Sequence, residues 1–160
     1  MVNVASASLV ATAFALIMLI ITAYFLVGVV LTTAEVVSTA QADQINQQEE
    51  RVRTAININN TSIESGSIIY AEIENMGSVV ISDIKYMDVY TINGKSSPIY
   101  YSQGTGTGTW SKISIEPDII NPGQWDPKEV MNISVTYPGS DPPVWIQVTT
   151  PNGISDSTYI

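Results

Sequence analysis

The sequence predicts an all-β domain, an antiparallel sandwich of about seven to eight strands, behind a long N-terminal transmembrane helix. Three observations predict it. Residues 9–31 (LVATAFALIMLIITAYFLVGVVL) contain no Asp, Glu, Lys or Arg. From Thr54 onward the apolar residues recur at every second position, the period of a strand. Turn-forming Asn, Gly, Pro and Asp residues separate these alternating runs, the Ig-like pattern of short strands in two packed sheets.

The apolar run comes first. At a rise of about 1.5 Å per residue it forms a helix of roughly 35 Å, enough to cross a hydrocarbon core of about 30 Å. Lipid offers no partner to free backbone N–H and C=O groups, so a helix is required there. A cleaved secretory signal would have a basic n-region and an apolar stretch of only about 7–15 residues. Residues 1–8 (MVNVASAS) carry no Lys or Arg, and Ala5-Ser6-Ala7, which resembles a cleavage site, precedes the apolar run. A soluble core helix is equally ill-suited, because a small β-domain cannot wrap it on all sides. Pilin-type precursors place a short basic leader directly before such a helix, and no charged residue precedes Glu35. The helix is therefore expected to stay embedded, with residues 1–8 cytoplasmic and the polar domain outside the cell.

Residues 32–53 lack Gly and Pro and are dominated by helix formers. They are expected to continue the helix as a polar stalk of some 20–30 Å. Its sparse apolar positions, Val36, Val37, Ala40 and Ile45, fit a solvated helix better than a pairing seam.

The sandwich is expected over residues 54–160. Strands are read at 54–59, 68–74, 79–82, 84–91, 110–116, 130–137 and 144–150, with a final piece near Ile154. Asn93-Gly94 is a favoured hairpin turn, and 98–102 is read as a short edge strand. The loop at 103–108 is read as a hairpin tip. Alternation marks Ile56, Ile58, Ile69, Ile73, Ile113, Ile115, Ile133, Val135, Trp145 and Val148 as inward-facing. The run from Val79 to Ile84 is apolar on both faces, so a strand there would fill the core with one face and leave the other free. Val80, Ile84 and Tyr86 are on that reading a candidate dimer interface, unless the strand is central and covered on both sides.

Composition narrows the chemistry. The chain has 160 residues and a net charge of −9, and its six basic residues are scattered beyond the apolar run. Binding nucleic acid needs a concentrated basic surface, so that partner is excluded, and anionic lipid headgroups are disfavoured. With neither His nor Cys, the chain lacks imidazole acid–base chemistry, thiol nucleophiles and the usual zinc ligands. The remaining carboxylates read as structural: Glu72 and Glu74 on the wet face of a strand, and Glu116, Asp118 and Asp126 in a loop without regular ligand spacing. The Gly-Thr-Gly-Thr-Gly segment lacks the Lys-Ser/Thr ending and the following helix of a phosphate cradle. No enzyme activity, cofactor or metal is expected. Three sequons make Asn59, Asn60 and Asn132 candidate N-glycosylation sites.

Three short segments carry a family likeness. The stalk ends in Arg53-Thr54-Ala55-Ile56-Asn57-Ile58, a T-x-I-x-I-type first strand. A strand ends in Glu74-Asn75-Met76-Gly77-Ser78, and the last turn reads Thr150-Pro151-Asn152-Gly153-Ile154-Ser155. With the layout of anchor, stalk and sandwich, they resemble the archaellum accessory proteins F and G, most specifically the F family (FlaF/ArlF). The G-type relatives (FlaG/ArlG) and the archaellins share this layout. The resemblance implies a stator element of the archaeal motility filament that binds surface-layer protein outside the membrane. It further implies pairing with a second copy and with a G-type neighbour. The alternatives are an archaellin or type IV pilin-like filament subunit, and an extracellular ligand- or glycan-binding accessory module.

Overall fold

The computed structural model describes residues 2–64, 67–94, 97–139 and 141–160, with side chains from Ser6 onward. Met1 of the expected cytoplasmic segment lies outside them. The chain forms two compact units, Met1–Asn46 and Gln47–Ile160. Helix α1 (Val2–Arg53) makes up the first unit and lends its last turns to the second.

Within the first unit the helix is apolar on every side over residues 9–31, and from Ser6 its side chains are exposed. It is long and apolar enough to cross a membrane. Its threonines do not leave their hydroxyls open. Thr12 donates to the Leu9 carbonyl at 2.9 Å, Thr22 to Met18 at 3.0 Å, and Thr33 to Val29 at 2.8 Å. In hydrocarbon such bonds remove the cost of an unpaired polar group.

The second unit is an eight-stranded sandwich folded almost into a barrel. Its strands are β1 (Ile56–Glu64), β2 (Ile68–Asn75), β3 (Asp88–Asn93), β4 (Ile99–Gln103), β5 (Thr109–Glu116), β6 (Val130–Thr136), β7 (Pro143–Thr149) and β8 (Ser155–Tyr159). They hydrogen-bond in the order β1-β2-β6-β5-β4-β3-β7-β8. Strand β4 joins the two halves: its residues 99–101 pair antiparallel with β3, and Ser102 and Gln103 pair parallel with β5. The free ends meet where the Ile58 amide donates to the Asp156 carboxylate at 2.7 Å.

The core lies between the halves. Ile69, Ile73, Trp110, Met131, Ile133 and Val135 come from one half, and Val89, Tyr101, Ile146 and Val148 from the other, all with no exposed surface. Each such side chain contributes about 1.5–3 kcal/mol relative to exposure.

Several expectations need correction. Ile113 is 53% exposed, because the β5–β6 register shifts between Lys112 and Ser114 and leaves Ile113 on a bulge. The bulge is what lets Trp110 and Ile115, an odd number of residues apart, both face inward. Trp145 faces outward and is half-buried, while its neighbour Ile146 fills the core. Residues 79–82 form no strand. Ile81 makes a single bridge to Trp125, and Ile84–Tyr86 is a 3-10 turn, so the next strand starts only at Asp88. Strand β4, expected at an edge, sits inside the sheet order. The loop after it is no hairpin tip, because β4 and β5 run parallel and the loop carries the chain across to the other half. Gly106 and Gly108, at φ 127° and 82°, supply the left-handed backbone this crossing needs.

Candidate functional site at the helix-proximal end of the sandwich

The three segments that carry the family likeness converge at one place, where the last turns of α1 meet the sandwich. A helix C-terminus leaves carbonyls without intrahelical partners. Here the sandwich supplies them. The Ser78 amide donates to the Arg53 carbonyl at 2.9 Å, and the Gly77 amide to the Ala55 carbonyl at 3.0 Å. The Thr54 hydroxyl donates to the Glu50 carbonyl at 2.7 Å and accepts from Asn152 Nδ2 at 2.6 Å. The Thr150 hydroxyl holds Asn152 Oδ1 at 2.6 Å. Thr54 and Thr150 are buried, so this chain of bonds is shielded from water. Arg51 and Arg53 in the last turn suit the negative end of the helix dipole, and Arg53 also bonds Ser78 Oγ at 3.2 Å.

Asn75 braces the turn behind this joint. Its fully buried amide donates to the carbonyls of Val79 and Trp125, both at 3.0 Å, and Oδ1 accepts from the Gly77 amide at 3.0 Å. Gly77 passes so close to the helix end that a Cβ there would lie 2.6 Å from the Arg53 carbonyl oxygen. The glycine is a matter of space. A cleft of about 560 Å³ opens beside the joint, lined by Gln47, Glu50, Arg51, Pro151, Asn152 and Gly153.

Of the carboxylates singled out in the sequence, Glu74, Glu116, Asp118 and Asp126 each accept a hydrogen bond from a neighbouring residue. Glu72 is exposed on β2, and Glu74 accepts from Asn59 at 3.0 Å. Asp118 accepts from the Gly123 amide at 2.8 Å, and Asp126 accepts from Asn121 through both oxygens. Buried Glu129 in turn accepts from the Asp126 amide at 2.9 Å. Among the described residues no group of three His, Cys, Asp or Glu side chains is placed to hold a metal.

The candidate interface residues do not share a strand face. Ile84 points into the core, Val80 is half-buried beside a small cleft with Val79 and Asp83, and Tyr86 is 65% exposed under the Lys85 ammonium. Asn59 and Asn60 are exposed on β1, where the register shifts between Ile58 and Asn60. Asn132 is half-buried in the middle of β6 and donates to Ser114 at 3.1 Å.

A helix long and apolar enough to cross a membrane, followed by a β-sandwich, defines the class of this protein. The chain belongs to the archaeal-type flagellin family, whose model matches residues 5–160. That places it among archaellum-associated structural proteins. An uncharacterized protein of Archaeoglobus fulgidus is 29% identical over 129 residues, covering 78% of this chain and 76% of that one.

Solved structures share the fold. The archaellum periplasmic stator protein FlaG of Sulfolobus acidocaldarius matches with a TM-score of 0.51 at 24% identity, over 67% of this chain and 99% of that one. The stator complex of FlaF and FlaG from the same organism gives 0.52 at 20% identity, over 66% and 87%. The archaeal flagellum of Methanospirillum hungatei strain JF1 gives 0.65 at 14% identity, over 93% and 90%.

Proposed function

We propose that this chain is a membrane-anchored stator element of the archaellum, holding its sandwich outside the cell against the surface layer. The observation that carries this reading is the match between the charge-free stretch, residues 9–31, and the thickness of one bilayer. Apolar character stops at Leu31, charge begins at Glu35, and the helix then runs on as a polar stalk. A stator transmits lateral force without chemistry, which suits a helix whose end is capped by the domain it carries. Its partners on this reading are surface-layer protein, a second copy and a FlaG-type neighbour, the last by analogy with the FlaF–FlaG complex.

A second reading, a filament subunit, is favoured by one observation. The flagellum structure matches helix and sandwich together, whereas the stator structures cover about two thirds of the chain. Both readings are tested in intact cell envelopes by shearing off filaments, then crosslinking and mass spectrometry of the membranes. A stator element stays with the sheared membranes and crosslinks to surface-layer peptides. Recovery in the filament fraction, with helix-to-helix crosslinks between copies, would establish the subunit instead.

A further inference from the structure

The outer face of β4-β3-β7-β8 carries four aromatic side chains in register, among polar residues such as Asp88, Gln147 and Ser157. Tyr100 lies opposite Tyr90 across the β3–β4 ladder, with ring centroids 5.4 Å apart and planes tilted by 48°. One step along, Trp145 sits between Ile92 on β3 and Tyr159 on β8. Tyr159 is 80% exposed and Tyr100 51%. Gln147 continues the first row, opposite Tyr90, with its amide bonded to Thr149 Oγ1 at 3.3 Å. Tyrosine and tryptophan suit strands. What marks this face is that four of them lie in two adjacent rows with Tyr100 and Tyr159 left largely exposed, a contiguous patch of the kind that binds.

Size and charge identify the occupant. Three strand spacings of about 4.8 Å and two rows about 7 Å apart give a platform on the order of 100 Å². A stable protein partner needs about 800 Å² per side, so the face is too small to hold a second copy by itself. Strands β3, β4, β7 and β8 contain no Lys or Arg, and Asp88 is the outward carboxylate beside Tyr100. Among the described residues of these strands an anionic ligand would meet no counter-charge. A ligand with a flat C–H face to lie on the rings, and neutral hydroxyls for Gln147 and the tyrosine edges, fits.

We propose that the outer face of β4-β3-β7-β8 binds a neutral hexose oligosaccharide, stacked on Tyr100, Tyr90, Trp145 and Tyr159. The inference is independent of the choice between stator and filament subunit, since it rests on the sandwich alone.

The full chain in phosphatidylcholine nanodiscs, free of sugar-based detergent, is titrated with a linear β-1,4-glucose hexamer and an α-mannose hexamer. A uronic acid hexamer is the anionic control. Trp110 and Trp125 are wholly buried, so a fluorescence change on binding reports Trp145. Saturable binding of a neutral hexamer, insensitive to salt, is expected. Tyr159→Ala and Tyr100→Ala should each weaken it about tenfold, and Tyr159→Ala should leave the unfolding midpoint in place. No response to either neutral hexamer, preference for the uronic acid hexamer, or unchanged affinity in both variants would overturn the proposal. So would a dimer, seen by light scattering, that the two substitutions dissolve, because the face would then be self-associating.

Discussion

At the scale of single residues, the joint between helix and sandwich depends on one missing methyl group. A Cβ on Gly77 would meet the Arg53 oxygen at 2.6 Å and the Ala55 nitrogen at 2.7 Å, both backbone atoms that cannot swing aside. Gly77→Ala is therefore expected to destabilise the second unit by about 1–3 kcal/mol in chemical unfolding, a cost of overpacking. Gly94, with nothing within 4 Å of its Cβ position, is the matched control and should tolerate alanine. Tyr100 offers a second residue-scale test. Desolvation, then the hydrogen bond and charge of Asp88, and a smaller effect of Tyr90 push its phenol above the ordinary value of about 10. The folded state thus holds this proton more tightly than the unfolded chain. The associated stability is present below pH of about 10 and is lost as pH rises through the folded value. Asp88→Asn should bring the Tyr100 titration back toward that of an ordinary tyrosine in an ultraviolet phenolate titration. An unchanged curve would mean that Asp88 does not act on the phenol.

At the scale of elements, the existence of the helix and of the strands was legible, because a charge-free run and a two-residue period are properties of local sequence. The phase of that period was less so. Alternation alone makes Ile113 as inward as Ile115, but buried Trp110 demands the opposite parity, and only pairing with β6 shows where the extra residue is absorbed. Trp145 and Val148 lie an odd number of residues apart, so a regular strand cannot bury both, and the β3 ladder decides for Ile146 and Val148. That decision turns Trp145, expected in the core, outward beside Tyr159. The apolar run at 79–82 failed as a strand for a different reason. Asn75 and Trp125, distant in sequence from one another, take its backbone groups, so tertiary partners override β-propensity. The bulge makes an opposed pair of predictions. Ile113→Ser should stay within about 0.5 kcal/mol of the parent, while Ile115→Ala should cost about 2–4 kcal/mol in denaturant unfolding. Equal losses would mean that Ile113 packs inward in solution.

At the scale of the whole molecule, the three segments that carry the family likeness looked unrelated in the sequence and meet at a single structural joint. The likeness was legible; its cause was not, because nothing local reveals that Ser78 and Asn152 reach the same helix end. A helix that ends in a free loop would let its domain swivel, and force applied to the domain would be lost in that motion. Here Arg53, Thr54 and Ala55 are held from two sides, by the Gly77–Ser78 amides and by Asn152. The domain and the last helical turns should therefore move as one body. The chain has no native cysteine, so Gln47→Cys and Ser102→Cys can be spin-labelled without background. Electron-electron dipolar spectroscopy of that pair is expected to give one narrow distance distribution. Adding Thr54→Val and Asn152→Ala removes the shielded hydroxyl–amide link while leaving the sheets intact, and should broaden the distribution without a loss of circular-dichroism signal. If the distribution keeps its width, the amides of Gly77 and Ser78 hold the helix end alone, and the bracing role assigned to Asn152 fails.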